Sequence, residues 1–398
     1  MRNNEKLRFP VLVAIVSISG LSQGMLLPLI AIILENRGVS STINGLHATG
    51  LYIGILLASP FMEAPLRKYG YKPLIIAGGL TVIISLFLFP FLDSILIWFF
   101  LRLLIGIGDH ALHFSTQTWI TSFSAPERRG RNISLYGLSF GIGFAVGPLL
   151  TRLVEINESL PFFITSILSL LSWVTIFWLH NEFPDEVSND VGTYSIRATM
   201  GRFGKVLKYA WAPLLPAFCY GVLEASLNGN FPVYGLRLGI NVDMLAIIIS
   251  SFSIGAIIFQ LPLGTASDKF GRRNILLTVM VIGSFIFLTA GIFEHHAQIL
   301  IVAFFIAGML LGSTYSLSIA FLTDTIPKHL LPAGNLLISI CFSFGSISGP
   351  FLGGLAIDHL PNVSFFYLIS GILFVIFLGL SVFKKEKQLS LADHRWNF

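Results

Sequence analysis

The chain has 398 residues, of which 54% are hydrophobic and only 11% charged, and its formal net charge is +5. Globular domains carry about 25% charged residues, so this balance excludes a soluble globular protein. The basic residues come in small, spaced groups, which argues against nucleic acid as a partner. The two cysteines, Cys219 and Cys341, lie inside apolar runs and read as buried thiols, with no metal site or disulfide framework implied.

A helix that crosses a bilayer needs about 20 mostly apolar residues. Such runs are predicted at 10–34, 43–65, 73–92, 95–121, 131–152, 160–180, 211–236, 243–264, 274–293, 297–322, 332–357 and 362–384. The first is too long for the apolar core of a signal peptide and is read as a span. The fold class expected is therefore an all-α integral membrane protein with twelve transmembrane helices. The connections alternate in charge. The N-terminus, "RKYGYK", "PERRGR", the 181–208 stretch, "DKFGRR", Lys328 and the C-terminal tail hold 21 of the 25 Lys and Arg residues. Positive charge marks the cytoplasmic side, so a multi-pass protein of the cell membrane with both termini cytoplasmic is expected.

The long polar stretch between the sixth and seventh runs divides the chain into residues 1–180, a cytoplasmic linker at 181–208, and residues 209–398. The linker is read as a tether, with a short amphipathic helix on the membrane surface around Ile196 to Leu207. The two parts repeat. "GPLL" at 147 recurs as "GPFL" at 349, "PERRGRN" at 126 as "PKHLLPAGN" at 327, "LRKYGYK" at 66 as "SDKFGRR" at 267, and "SQGMLLP" at 22 as "SLNGNFP" at 226. Four matches in one order at nearly one offset imply two pseudo-symmetric six-helix bundles, with a site between them near the midplane.

Several of these stretches carry a family resemblance over the whole chain. "GTASDKFGRR" (Gly264 to Arg273) resembles the signature loop of the major facilitator superfamily. "RLLIGIGDHA" resembles that family's fourth-helix motif, and "GFAVGP" (Gly143 to Pro148) resembles the fifth-helix motif of its drug–proton antiporters. "GSISGPFLGG" (Gly345 to Gly354) fits the full form of that motif, but in the eleventh helix. The resemblance implies a transporter rather than an enzyme, working by alternating access as a monomer, with a small-molecule substrate, the lipid bilayer and protons as partners. No cofactor is implied; a proton gradient supplies the drive. It also implies a gating role for Gly264, Asp268, Gly271, Arg272 and Arg273. The chain departs from the family in the first-half loop "EAPLRKYGYK", where Arg67 stands in place of the acid and Glu63 in place of the leading glycine. A cytoplasmic latch asymmetric between the halves is expected, with Glu63 a candidate replacement for the acid.

Gly143 and Gly147 with Pro148, and Gly345 and Gly349 with Pro350, form small-xxx-small faces followed by a kink, at which two backbones approach closely. In the fourth predicted span, "RLLIGIGDHALHFSTQ", helical periodicity puts Arg102, Gly106, Asp109, His113 and Gln117 on one stripe, with His110 at its edge. A charged residue at mid-bilayer costs at least about 2.5–3.5 kcal/mol. The stripe is therefore expected to face a central cavity, where Asp109 could load and release a proton and hydrogen-bond His113 one turn on. A structural Asp–His or Asp–Arg pair is the alternative. Glu224 in the seventh span is the other deep carboxylate, and Gln23 and Gln260 are further polar candidates for the cavity.

Two readings of transport follow. One is export of small hydrophobic or cationic compounds in exchange for protons. The other is transport of a metabolite, sugar or lipid headgroup by symport, uniport or exchange. "GLSFG" at 137–141 imitates a serine-nucleophile motif but lies within an apolar helix rather than at a strand–turn–helix elbow. The chain contains no Walker A loop, so ATP is not the expected energy source.

Overall fold

The computed structural model describes residues 2–184, 196–327 and 330–383. Much of the linker, Lys328 and the basic tail lie outside the described residues, as does the side chain of Glu63. Among the described residues the regular elements are all helical. The first half has α1 (Arg2–Asn36), α2 (Ser41–Ala58), α3 (Glu63–Tyr69), α4 (Tyr71–Leu88), α5 (Ile95–Phe123), α6 (Pro126–Val146) and α7 (Leu160–Val174). The second has α8 (Ile196–Ala210), α9 (Leu214–Gly229), α10 (Phe231–Arg237), α11 (Val242–Phe270), α12 (Arg272–Ile292), α13 (Ala297–Leu311), α14 (Thr314–Thr323), α15 (Leu331–His359) and α16 (Phe365–Val382). Ten of the helical segments are long and apolar enough to cross a membrane.

Breaks interrupt several predicted spans, and prolines mark three of them. Pro60, Pro148 and Pro232 each sit at the start of the piece that follows the break: the 3₁₀ turn Ser59–Phe61, the 3₁₀ helix Gly147–Glu155, and α10. Proline has no N–H to donate and a φ suited to a helix start, so it opens a helix and breaks one that it interrupts. Its counterpart Pro350 lies inside the unbroken α15, with its carbonyl oxygen accepting from Asn230 Nδ2 at 2.9 Å. The kink expected at both motifs thus takes the form of a 3₁₀ segment in the first half only.

The internal repeat is visible in the helix crossings. A Cβ at Gly143 would stand 1.9 Å from the Ser17 carbonyl oxygen, and one at Gly345 would stand 2.1 Å from that of Phe218. Gly20 meets Phe140 and Gly221 meets Phe342 in the same way, so the α1–α6 crossing is reproduced by α9 and α15. Gly54 and Gly106 bring α2 against α5, and Gly255 and Gly308 bring α11 against α13. Gly106 of the fourth-span stripe is therefore a packing residue, 2.0 Å from the Leu51 carbonyl oxygen by its absent Cβ. The turns repeat as well: Gly70 and Gly271 have φ of 84° and 90°, a region that favours glycine, and they end α3 and α11.

Helix α8 meets α9 at a bend of 92°. Its Phe203, Val206 and Ala210 pack on Leu322, Ile326 and Leu330, while Lys205 and Lys208 are exposed, so the helix is amphipathic but these apolar residues meet protein rather than a membrane surface. Contacts between the halves run chiefly through α15 on α2 and through α11 on α6 and the 3₁₀ helix Gly147–Glu155.

Candidate functional site

Residues of α1, α5 and α6 converge on Asp109, which is 1% exposed. Its Oδ1 accepts from Ser19 Oγ at 2.9 Å, and its Oδ2 is buried without a hydrogen-bond partner. The direct Asp109–His113 bond expected from their one-turn spacing is replaced by a bridge, because Ser19 Oγ is also 2.9 Å from His113 Nε2. The Gln23 amide nitrogen lies 3.4 Å from that same ring nitrogen. On the other side of the ring, His113 Nδ1 is 2.7 Å from the Tyr136 hydroxyl, and Phe140 packs edge-on at 5.2 Å between centroids. Asp109 also lines a cavity of about 20 Å³, room for one water, among Ser19, Gly79, Ser169, Ser172 and Trp173. That cavity lies between α1, α4, α5 and α7 of the first half, so this part of the stripe faces neighbours within its own half. Periodicity groups residues on a face; it does not tell which neighbour the face meets.

Arg102 departs further from the expected stripe. It is 0% exposed, and its Nη1 lies 3.0 Å from His47 Nδ1 on α2. Nη2 donates to the carbonyl oxygens of Leu26 and Leu27 at 3.4 and 3.3 Å. A guanidinium only donates, so His47 Nδ1 must be the bare nitrogen. Its Nε2–H then donates to the Ile95 carbonyl oxygen at 3.2 Å. The charge of Arg102 is thus spread over neutral acceptors within the first half, apart from Asp109. His47 was not singled out in the sequence because a lone histidine in an apolar run has no pattern of its own.

Glu224 is half-buried on α9. Tyr52 on α2, Tyr220 one turn earlier on α9 and Tyr315 on α14 lie within electrostatic reach of its carboxylate. Tyr220, Tyr315 and Phe342 form one ring cluster, with the Tyr315 and Phe342 centroids 5.1 Å apart. Gln260 is exposed on α11, and His110 is half-buried and stacks on Phe114 rather than joining His113's hydrogen bonds.

In the signature loop, Asp268 pairs with Arg272, which also reaches Ser267 and, at 3.4 Å, Asp324 at the end of α14. Arg273 donates to the carbonyl oxygens of Leu380 and Ser381 at 3.0 and 2.7 Å. These partners all belong to the second half. A Cβ at Gly264 would meet nothing within 4 Å, so the loop's leading glycine relieves no crowding here.

At the opposite end of the molecule, polar groups tie the halves together. Glu35 of α1 and Arg237 of α10 form a two-pronged pair, at 2.7 Å from Nε to Oε1 and 3.3 Å from Nη2 to Oε2. Arg237 also reaches Asp358 at 3.4 Å. Asp358 in turn accepts from the first N–H groups of α2, at 3.1 Å from Ser41 and 2.8 Å from Thr42. Arg152 and Asp243 add a cross-half ion pair at 2.9 Å. Beneath these, a Cβ at Gly45 would stand 2.1 Å from the Pro350 carbonyl oxygen, and one at Gly354 would stand 2.2 Å from that of Ser41. In the sequence Arg152 and Arg237 stand outside the basic connections, and no motif there pairs either of them.

Comparison with known proteins bears on what this arrangement is. The sequence model described as Major Facilitator Superfamily matches residues 12–244 and 214–395. "Uncharacterized MFS-type transporter YfkF" of Bacillus subtilis (strain 168) is 53% identical over 388 residues, covering 98% of both chains. "Multidrug resistance protein 2" of the same organism is 23% identical over 406 residues, again covering 98% of both. The crystal structure of the nucleoside transporter NupG is similar in fold, with a TM-score of 0.75 at 13% identity, covering 95% of this chain and all of that one. A bacterial homolog of the human lysosomal transporter Spinster, inward-facing and unoccupied, gives a TM-score of 0.70 at 15% identity, covering 96% of this chain and 93% of that one.

Proposed function

The chain belongs to the Major Facilitator Superfamily, and from that premise we propose that it is a secondary active transporter exporting small hydrophobic or cationic compounds in exchange for protons by alternating access. It is a multi-pass membrane transporter, and its relatives are transporters rather than enzymes. Ten spans are joined in this reading by α2 and by α9 continued through α10, making twelve in two bundles, 1–180 and 209–398, with 181–208 as the linker. The duplicated glycine crossings support the two bundles. The charge alternation supports a cell-membrane orientation with both termini cytoplasmic. In that orientation the Glu35–Arg237–Asp358 end is the outer one and is closed, and the Asp268 loop is cytoplasmic. The protein acts as a monomer, with a proton gradient as its energy source and no cofactor.

The observation that carries the proton-coupled reading is Asp109: a carboxyl group wholly buried inside a membrane-spanning helix, with neutral Ser19 as its hydrogen-bond partner. A carboxylate buried without a cation is strongly penalised, so a group kept in that position is suited to carry a proton through part of the cycle. Glu224 with its surrounding tyrosines is the counterpart in the second half and suits a cation, since ring faces and a carboxylate both attract positive charge. The sequence relative named for multidrug resistance is consistent with such a substrate. The test uses proteoliposomes and tetraphenylphosphonium as probe. An inward proton gradient should drive probe efflux, and Asp109→Asn should abolish the dependence on the gradient. Efflux indifferent to the gradient in the unmodified protein would overturn the antiport.

A further inference from the structure

Ser19, His113 and Tyr136 stand in series between Asp109 and the interior of α6, with each step of 2.9, 2.9 and 2.7 Å within hydrogen-bond reach. Counting protons orients the whole chain. An ionised carboxylate only accepts. Ser19 gives its single hydroxyl proton to Asp109, so His113 Nε2–H donates to Ser19 Oγ. A neutral imidazole protonated at Nε2 has a bare Nδ1, which accepts from the Tyr136 hydroxyl. When Asp109 is protonated every bond reverses: Asp109 donates to Ser19, Ser19 to Nε2, and Nδ1–H to Tyr136. Both arrangements satisfy every bridging group and leave His113 neutral.

We propose that Ser19, His113 and Tyr136 are a proton relay that loads and unloads Asp109, His113 exchanging tautomers as each proton passes. The relay rests on the proton-coupled reading above. In loading, an arriving proton bonds to the Tyr136 oxygen as the former hydroxyl proton moves to Nδ1. The Nε2–H bond breaks as a new Ser19 O–H bond forms, and the former Ser19 proton bonds to Asp109 Oδ1. Each internal proton shifts by one place, no electrons are transferred, and one proton has reached Asp109.

The surroundings suit this role. From α1 the Gln23 amide faces His113, from α5 the imidazole of His110 lies nearby, and from α6 come Tyr136 and Phe140. The cavity beside Asp109 is lined from α4 by Gly79 and from α7 by Ser169, Ser172 and Trp173, none of them charged. No fixed cation in that lining competes with a proton for the carboxylate. Thr116 Oγ1, 3.4 Å from the Tyr136 hydroxyl, offers one more step beyond the tyrosine.

If Asp109 never takes up a proton the ring keeps one tautomer at every pH, and if it does the ring must follow, so the tautomer reads the coupling to Asp109 and the Ser19 variants read the transfer itself. In the full chain reconstituted in lipid with ¹⁵N-labelled histidine, the His113 signals are identified by their loss in His113→Gln. They should change from the Nε2–H to the Nδ1–H tautomer as pH falls, without passing through imidazolium, and Asp109→Asn should abolish the change. A single tautomer throughout, or an imidazolium, would overturn the relay. In proteoliposomes loaded with a pH-sensitive dye, with tetraphenylphosphonium as probe, Ser19→Ala should slow coupled proton uptake roughly 100-fold, and Ser19→Thr, which keeps the hydroxyl, should restore it. Full-rate coupled export by Ser19→Ala removes the relay and leaves the antiport standing. Export by the unmodified protein that ignores the proton gradient removes the antiport itself.

Discussion

Asp358, one residue from the end of α15, holds Thr42 at the start of α2 by both its N–H and its hydroxyl, each at 2.8 Å. A carboxylate from one half thus caps a helix of the other, where the first N–H groups have no partners within the helix. Losing such a cap costs about 0.5–2 kcal/mol, and here the loss falls on the contact between halves rather than on either half alone.

Asp358→Ala should therefore shift the population toward the state open at this end by roughly 2–30-fold, the equivalent of about 0.5–2 kcal/mol. Spin labels on Asn36 and Asn362, both exposed and on opposite halves, measure it once Cys219 and Cys341 have been replaced. A longer-distance population should appear in Asp358→Ala and in Arg237→Ala. An unchanged distribution would mean that the glycine contacts below, at Gly45 and Gly354, hold the seal unaided.

The duplicated crossings make a second prediction. A methyl at Gly143 or Gly345 would enter the space of a carbonyl oxygen on the facing helix, 1.9 or 2.1 Å away, so the helices must part. Overpacking of this kind costs about 1–3 kcal/mol. Gly143→Ala and Gly345→Ala should each lower the melting temperature in detergent. Gly371→Ala on α16, with nothing within 4 Å, should leave it unchanged or raise it slightly, because alanine favours helix. Similar melting of all three variants would show that the crossings tolerate separation.

Arg102 and His47 make the third. With Nη1 on the imidazole and Nη2 on two carbonyl oxygens, Arg102 uses a planar fork that a lysine ammonium cannot reproduce. Arg102→Lys and His47→Ala should each destabilise the fold by about 1–3 kcal/mol through unsatisfied buried groups. The double variant should lose less than the sum of the two. Additive losses in thermal unfolding would show that the two side chains act independently.

What the sequence made legible follows from what it encodes. Long apolar runs require spanning helices, and their placement at α4, α5, α12 and α16 agrees with the structure to within a few residues, while α1 begins at Arg2 and α11 ends at Phe270, beyond the predicted bounds of 10 and 264. Breaks at Pro60 and Pro232 lay inside runs read as single spans, because membrane helices tolerate proline and a proline alone does not mark a break, as Pro350 inside the unbroken α15 shows. The pairing of Gln23, Asp109 and His113 in one cluster was partly legible, because a polar stripe on one helix needs polar partners. Ser19 was not, since a small hydroxyl in an apolar run is common packing until a neighbouring helix places an acid and an imidazole on either side of it. The cross-half contacts of Glu35, Arg237 and Asp358 were invisible for a similar reason: residues more than a hundred positions apart share no periodicity, and only the packing of α10 on α1 and of α15 on α2 brings them together.

Asp268 provides the last test, because its surroundings separate stability from gating. Its side chain is 62% exposed and pairs with Arg272 four residues on, within the same half. An exposed pair of this kind contributes at most about 1 kcal/mol, so Asp268→Asn should leave the melting temperature within a degree or two of the unmodified protein, given that about 1 kcal/mol moves it by only a few degrees in a chain of this size. If the loop also closes the cytoplasmic end during the cycle, as the resemblance of "GTASDKFGRR" to the superfamily's signature loop implies, then the carboxylate must meet a first-half helix end or basic group that it does not touch in this state. Its loss would then raise the barrier between states without weakening the binding of probe. Turnover of tetraphenylphosphonium in proteoliposomes should fall at least about tenfold, with the probe's Kd changed less than about twofold, because an interaction made only on the way between states affects rate and not ground-state affinity. Equal turnover in Asp268→Asn would make this pair a surface ornament of α11 and α12, and the closing contact would have to be sought at Arg67 and its neighbours in the first-half loop.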